Sequence, residues 1–204
     1  MTTIRQRKYL VSRRIGASLW GRDRDPVHQR NYPPGEHSHR RLKRQSDYGK
    51  QLRAKQILRE YYNLRERQFK KIYKESTRAK GDTCANLIGL LESRFDAVLY
   101  HSKLLPTIFA ARQFISHRHV LLNGKIVNIP SYRLKPGDTI TIRDKLKDNC
   151  LVLHALKLQE RSVPDYISVD EEKRSAQFLK VPEISEVPYP VKIDIDLVVV
   201  FYSR

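Results

Sequence analysis

Residues 117–127 read HRHVLLNGKIV: two histidines around an arginine, an apolar run, then Asn-Gly before a second apolar run. Asn123-Gly124 between apolar alternations predicts a tight hairpin, because both positions of the favoured two-residue loop require positive φ. Upstream, RFDAVLYHS reads as a short helix and Pro106-Thr107 opens another in TIFAARQFISHR. Downstream, Lys135-Pro136-Gly137-Asp138 is a turn leading into TITIR, whose strict alternation is that of a half-buried strand. Residues 94–155 therefore predict helices followed by a small antiparallel sheet.

Further out, Ser46 precedes DYGKQLRAKQILREYY, a basic amphipathic helix, and Asn63 offers a cap for a second helix through about Arg78. Gly81-Asp82 stops that helix and starts a third, TCANLIGLLESR. Residues 1–45 are rich in basic and turn-forming residues, lack apolar periodicity and are expected to order only against a partner. Beyond Leu151 a helix, LVLHALKLQER, gives way to strand-like pieces: DYISV, QFLKV and the terminal IDLVVVFY. Pro182, Pro188 and Pro190 favour edges and loops there over central strands.

The 204 residues carry a formal charge of +18, and the distribution says more than the total. Residues 1–80 hold 23 Lys+Arg against 7 Asp+Glu, whereas residues 81–204 hold 17 against 15. A polyanionic partner is implied, met mainly by the N-terminal part. No apolar run reaches the ~18 residues needed to span a bilayer, and the start has no signal-peptide core, so the expected location is cytoplasmic, without a membrane. Cys84 and Cys150, with no CxxC pairing, fit buried thiols better than a disulfide or zinc framework.

GxSxG, Walker and GxGxxG patterns are absent, as are paired carboxylates in apolar settings, so no enzyme is expected. His117 and His119 have no Cys, Asp or Glu within ten residues, a weak metal pattern. His28, His37 and His39 sit in strongly positive surroundings, which disfavour a cation; no metal or cofactor is expected. The basic run is different. Arg53, Lys55, Arg59, Arg65, Arg67, Lys70 and Lys71 have only Glu60 and Glu66 nearby, and such self-repulsion calls for a compensating anion. Interleaved tyrosines at helical spacing are mostly core, with some left to stack on bases.

RFDAVLY followed by AARQFISHRHVLLNGKIVNIPSYRLKPGDTI resembles the RNA-binding module named after the bacterial small-subunit ribosomal protein S-four. Pseudouridine synthases and tyrosyl-tRNA synthetases share that module. QSDYGKQLRAKQILREYY, LRERQFKKIYKES, GDTCANLIGLLESR and the terminal VVVFYSR resemble the ribosomal family itself, over nearly the whole chain. The resemblance implies a structural component of the small ribosomal subunit, a primary 16S rRNA binder that nucleates assembly of the subunit body. It also implies a neighbouring ribosomal protein, S-five, a contribution to translational accuracy and, as in some members, binding to its own mRNA. The expected class is α+β: an N-terminal helical domain with an irregular basic arm, plus a small helix-helix-antiparallel-sheet RNA-binding module. The expected division is a basic arm over 1–45, a helical rRNA-binding domain over 46–93 completed by 175–204, and a domain over 94–174 with its module core at 94–155.

Carried over by position, Arg94 opens the module, Arg112 and Gln113 lie on the exposed side of its second helix, and His117, Arg118 and His119 form the corner before the hairpin that bears Lys125. These side chains suit phosphate and ribose oxygens without any metal. The other expected RNA contacts are Arg5, Arg7, Arg13, Arg14, Arg40, Arg41, Lys43 and Arg44 in the arm, and Tyr48, Lys50, Arg53, Lys55, Arg59, Arg65 and Arg67 on the helices. Two departures stand out. Many relatives have Gly where this chain has Arg118, so the corner either accepts a non-glycine or differs in shape. Many relatives also carry a four-cysteine zinc knuckle in the arm, which has no cysteine here and is expected to pack around Trp20 and RNA without metal.

Overall fold

Polar side chains start the helices by taking up backbone N–H groups that have no intrahelical partner. In this computed structural model, which describes residues 9–36, 45–158 and 161–203, Ser46 Oγ accepts from Gly49 N to start α2 (Asp47–Tyr61). Asp82 accepts from Cys84 and Ala85 to start α4 (Thr83–Glu92), and Thr107 accepts from Ala110 to start α6 (Ile108–Ser116). Asn63 takes φ +49 and closes α2, with Asn63 N on Glu60 O and Leu64 N on Arg59 O, and α3 runs Glu66–Arg78. Asparagine tolerates that left-handed conformation.

The chain divides into two compact units, Met1–Lys71 with Tyr189–Arg204, and Ile72–Pro188. In the first, the arm is not without a core. Helix α1 (Leu10–Ile15) packs on α2, and Val11, Ile15, Leu19, Trp20 and Val27 are buried. Trp20 donates its indole N–H to Tyr61 O at 3.2 Å. The expectation that this stretch orders only against a partner is therefore corrected for residues 9–36: enough apolar groups recur among the charges to bury a face against α2. The terminal IDLVVVFY is a helix, α8 (Ile195–Tyr202), not a strand. Ile195 and Val198, three apart, are buried, and α8 packs along α2. A short apolar run has no period that separates the two states, so packing decides.

In the second unit α5 (Phe95–His101) and α6 pack together beside a five-stranded antiparallel sheet of order β2-β1-β3-β5-β4. Its strands are β1 (Val120–Leu122), β2 (Lys125–Ile126), β3 (Thr139–Ile142), β4 (Ile167–Asp170) and β5 (Ser175–Phe178), so the sheet is completed by chain beyond residue 155. Asn123 and Gly124 take φ +48 and +75, the turn that the hairpin reading requires, and Leu122 faces Lys125 across it. Phe95, Val98, Leu99, Ile115, Val120, Ile140 and Ile142 are fully buried, in the alternation expected of a sheet with one face on helices. Helix α7 (Cys150–Lys157) buries Val152 and Ala155 and leaves Cys150 exposed; of the two thiols only Cys84 is buried, as expected for both.

Candidate RNA interface

The corner begins as a helix ending. His119 N bonds Phe114 O and Arg118 N bonds Ile115 O, both at 2.9 Å, closing α6 in a Schellman motif that demands a left-handed residue between them. Arg118 occupies that position at φ +62, so the corner keeps the glycine shape with a side chain added. Arg118 and His117 are exposed. His119 lies half-buried with its ring 5.4 Å from Phe114 and 5.7 Å from His117. Burial first, then the charges of His117 and Arg143, push its pKa below the ordinary histidine range.

Arg143 belongs to this corner and was not foreseen. The β1–β3 register, Val120 opposite Ile142, sets Arg143 beside His119; Arg143 N donates to His119 O, and its guanidinium donates to Arg118 O at 3.3 Å. The alternation of TITIR next to the hairpin contained the signal, once the pairing register is known. At the other end of β1, Asn123 donates to Asp138 at 2.8 Å and accepts from Thr139 N, while Asp138 accepts from Lys135 N. This cross-link fixes the turn from which the exposed Lys125 projects.

Arg94 and Arg112 are placed differently from expectation. Both donate to Asp96, which is fully buried: Arg94 at 2.9 and 2.8 Å, Arg112 at 3.0 and 2.5 Å. The Arg94 side chain is itself buried and Arg112 is one-quarter exposed, so the pair clamps α5 to α6 instead of facing phosphate. Gln113, on the next position, is exposed.

In the first unit the expected contacts sort in the same way. Arg14, Tyr48, Lys50, Arg53 and Arg67 are exposed, with Lys50 paired to Asp47 and Arg53 donating to Ile15 O; Arg65 is half-buried. Arg13 is held by Tyr32 O, Pro33 O and the Tyr32 ring. Lys55 is buried, 3.0 Å from Glu66 and over the Phe201 ring, and Arg59 pairs with Glu60 and Glu66, so both expected RNA contacts are engaged within the protein. On α3, where Phe69, Ile72, Tyr73 and Ser76 are buried, Lys70 and Lys71 of the basic run are exposed, as are Lys74 and Arg78, which that run did not include. Arg5, Arg7, Arg40, Arg41, Lys43, Arg44, His37 and His39 lie outside the described residues. Among the described residues no three His, Cys, Asp or Glu gather to hold a metal, and no helix is long and apolar enough to cross a membrane.

A basic helical unit and a helix-helix-hairpin module with a cationic corner define an RNA-binding protein of the S4-domain class. Family models agree: the ribosomal protein S4/S9 N-terminal domain matches residues 3–92 and the S4 domain matches residues 93–140. The small ribosomal subunit protein uS4 of Ruegeria sp. (strain TM1040) is 55% identical over 205 residues, covering 100% of both chains. That of Nitrobacter winogradskyi is 54% identical with the same coverage, and that of Caulobacter vibrioides 55% identical over 96% of each chain. The chain belongs to the uS4 family of small ribosomal subunit proteins. Members of this family are ribosomal proteins, not enzymes, and work in the cytoplasm as part of the ribosome.

Proposed function

We propose that the chain is a primary 16S rRNA-binding protein that nucleates assembly of the small-subunit body and, beside ribosomal protein S-five, contributes to translational accuracy. The observation that carries the RNA-binding part is the corner itself. A left-handed Arg118, exposed His117 and Arg143 are fixed around one helix ending, with no carboxylate bonded to them among the described residues. Such a fixed set of donors positions a sugar-phosphate backbone. Exposed cations of α2 and α3 supply further phosphate contacts in the first eighty residues. The first unit, Met1–Lys71 with Tyr189–Arg204, acts on this reading as one rRNA-binding part and the second, Ile72–Pro188, which holds the module, as the other. The expected boundaries at 93 and 175 shift because α4 packs on α5 and β5 pairs with β3 and β4. Assembly, accuracy, the S-five contact and binding to its own mRNA rest on the family resemblance.

The test is filter binding of the purified protein to the 5′ domain of small-subunit rRNA and to tRNA across a salt series. Preference for the rRNA, with a log–log salt slope on the order of −5 to −10 for about 6–10 phosphates neutralised, is the expected result. Equal affinity for both RNAs overturns the primary-binder reading.

A further inference from the structure

A cavity of about 300 Å³ opens in the first unit, walled by the apolar Ile15, Ala54 and Ile57, with Lys50, Arg53, Lys192 and Asp194 also lining it. Its volume is at the lower end for a small-ligand site and suits one nucleotide. An apolar wall with three cations is the combination that takes a flat ring and its phosphate together. Arg53 donates to Ile15 O, which fixes the guanidinium beside the wall where its plane can stack on a base. Lys50 is shared with Asp47.

Asp194 sets the choice of base. It stands, exposed, at the N-cap position of α8, makes no side-chain cap hydrogen bond, and is one of the residues lining the cavity. An ionised carboxylate is an acceptor of two parallel N–H bonds. Guanine presents two such donors side by side on its Watson–Crick edge, whereas adenine presents one beside an acceptor. The same carboxylate disfavours a bare phosphate dianion, and the charged lining disfavours an apolar side chain from another protein. From these features we infer that the cavity receives one unpaired nucleotide of the bound RNA, guanine being the base it fits. The inference rests on the rRNA-binding reading above.

The experiment is an NMR titration of the full chain with GMP, AMP and inorganic phosphate in parallel. GMP is expected to shift the amides of Ala17, Ile193 and Asp194 at concentrations several-fold below those at which AMP does, with phosphate leaving them in place. Asp194→Asn is expected to bring GMP and AMP to parity, and Ala17→Trp, which fills the cavity, to abolish both responses. Ala17→Trp is also expected to weaken binding to the rRNA 5′ domain on the order of tenfold, the loss of one stacked base. Equal shifts from all three ligands make the site a plain anion patch and overturn the inference, as do unmoved amides. If Ala17→Trp does not fold, the Asp194→Asn comparison decides alone. Failure of the wild type to bind rRNA refutes the functional reading by itself, while intact rRNA binding with silent GMP titrations refutes only the cavity.

Discussion

At the scale of single residues, Arg118 shows a conflict between fold and ligand. A non-glycine in the left-handed region costs about 1–2 kcal/mol, part of which glycine gives back through its freer unfolded chain. Arg118→Gly is therefore expected to raise stability by up to about 1 kcal/mol in urea unfolding while weakening rRNA binding in the filter assay. Unchanged RNA affinity would show that the side chain is not a contact. Asp96 is the opposite case, a residue whose whole role lies inside the protein. Two guanidinium groups share one buried carboxylate, and removing it leaves positive charge uncompensated. Asp96→Asn is expected to cost on the order of 3–5 kcal/mol in the same unfolding measurement, and a loss below about 1 kcal/mol would mean that water already compensates the arginines.

At the scale of elements, one carboxylate ties α8 and α2 to α3. Glu66 on α3 accepts from Tyr202 at 2.5 Å and pairs with Lys55 of α2. Burial alone raises the Glu66 pKa, but the hydrogen bonds from Tyr202 and Lys55, with the charges of Lys55 and Arg59, outweigh it and hold the value below the ordinary 4.5. The sign follows: the stabilisation is complete above the unfolded-state pKa and is lost as pH falls through the lower folded-state pKa. Tyr202→Phe is expected to cost about 1 kcal/mol at pH 7 and to shrink the stability difference between pH 7 and pH 4. Equal acid sensitivity in the two proteins would place the pH dependence elsewhere. None of this was legible beforehand. Asn-Gly, Asp82 and Thr107 could be read because their signals are local: a turn needs positive φ, and a cap needs an oxygen near three free N–H groups. The helicity of α8 and the position of Lys55 over the Phe201 ring depend on partners far along the chain, which no period or spacing encodes, whereas the Arg94–Asp96 pair is only two residues apart and its burial is what the sequence does not show. The arm's small core was missed because Val11, Ile15, Leu19, Trp20 and Val27 are diluted by charge.

At the scale of the whole molecule, charge is unevenly compensated along the chain. In residues 81–204 several lysines at or near the surface have acid partners close by: the half-exposed Lys147 with Asp144, and the exposed Lys173 with Asp170 and Lys180 with Glu186. The exposed face of α3, by contrast, carries Arg67, Lys70 and Lys74 in a part of the chain with net charge +16 over its first eighty residues. A cation already balanced by a neighbouring carboxylate displaces few counterions from RNA, whereas an unbalanced one displaces nearly one for each phosphate met. Replacing Arg67, Lys70 and Lys74 together by Gln is therefore expected to flatten the salt slope by about 2–3, while the same change at Lys147, Lys173 and Lys180 moves it by less than about 1. Filter binding to the rRNA 5′ domain between 50 and 300 mM salt, ranges of the order used for such slopes, reads both triple variants side by side. Equal flattening would mean that the RNA is attracted by total charge; a steep loss confined to the α3 variant would mean that it is held by one face.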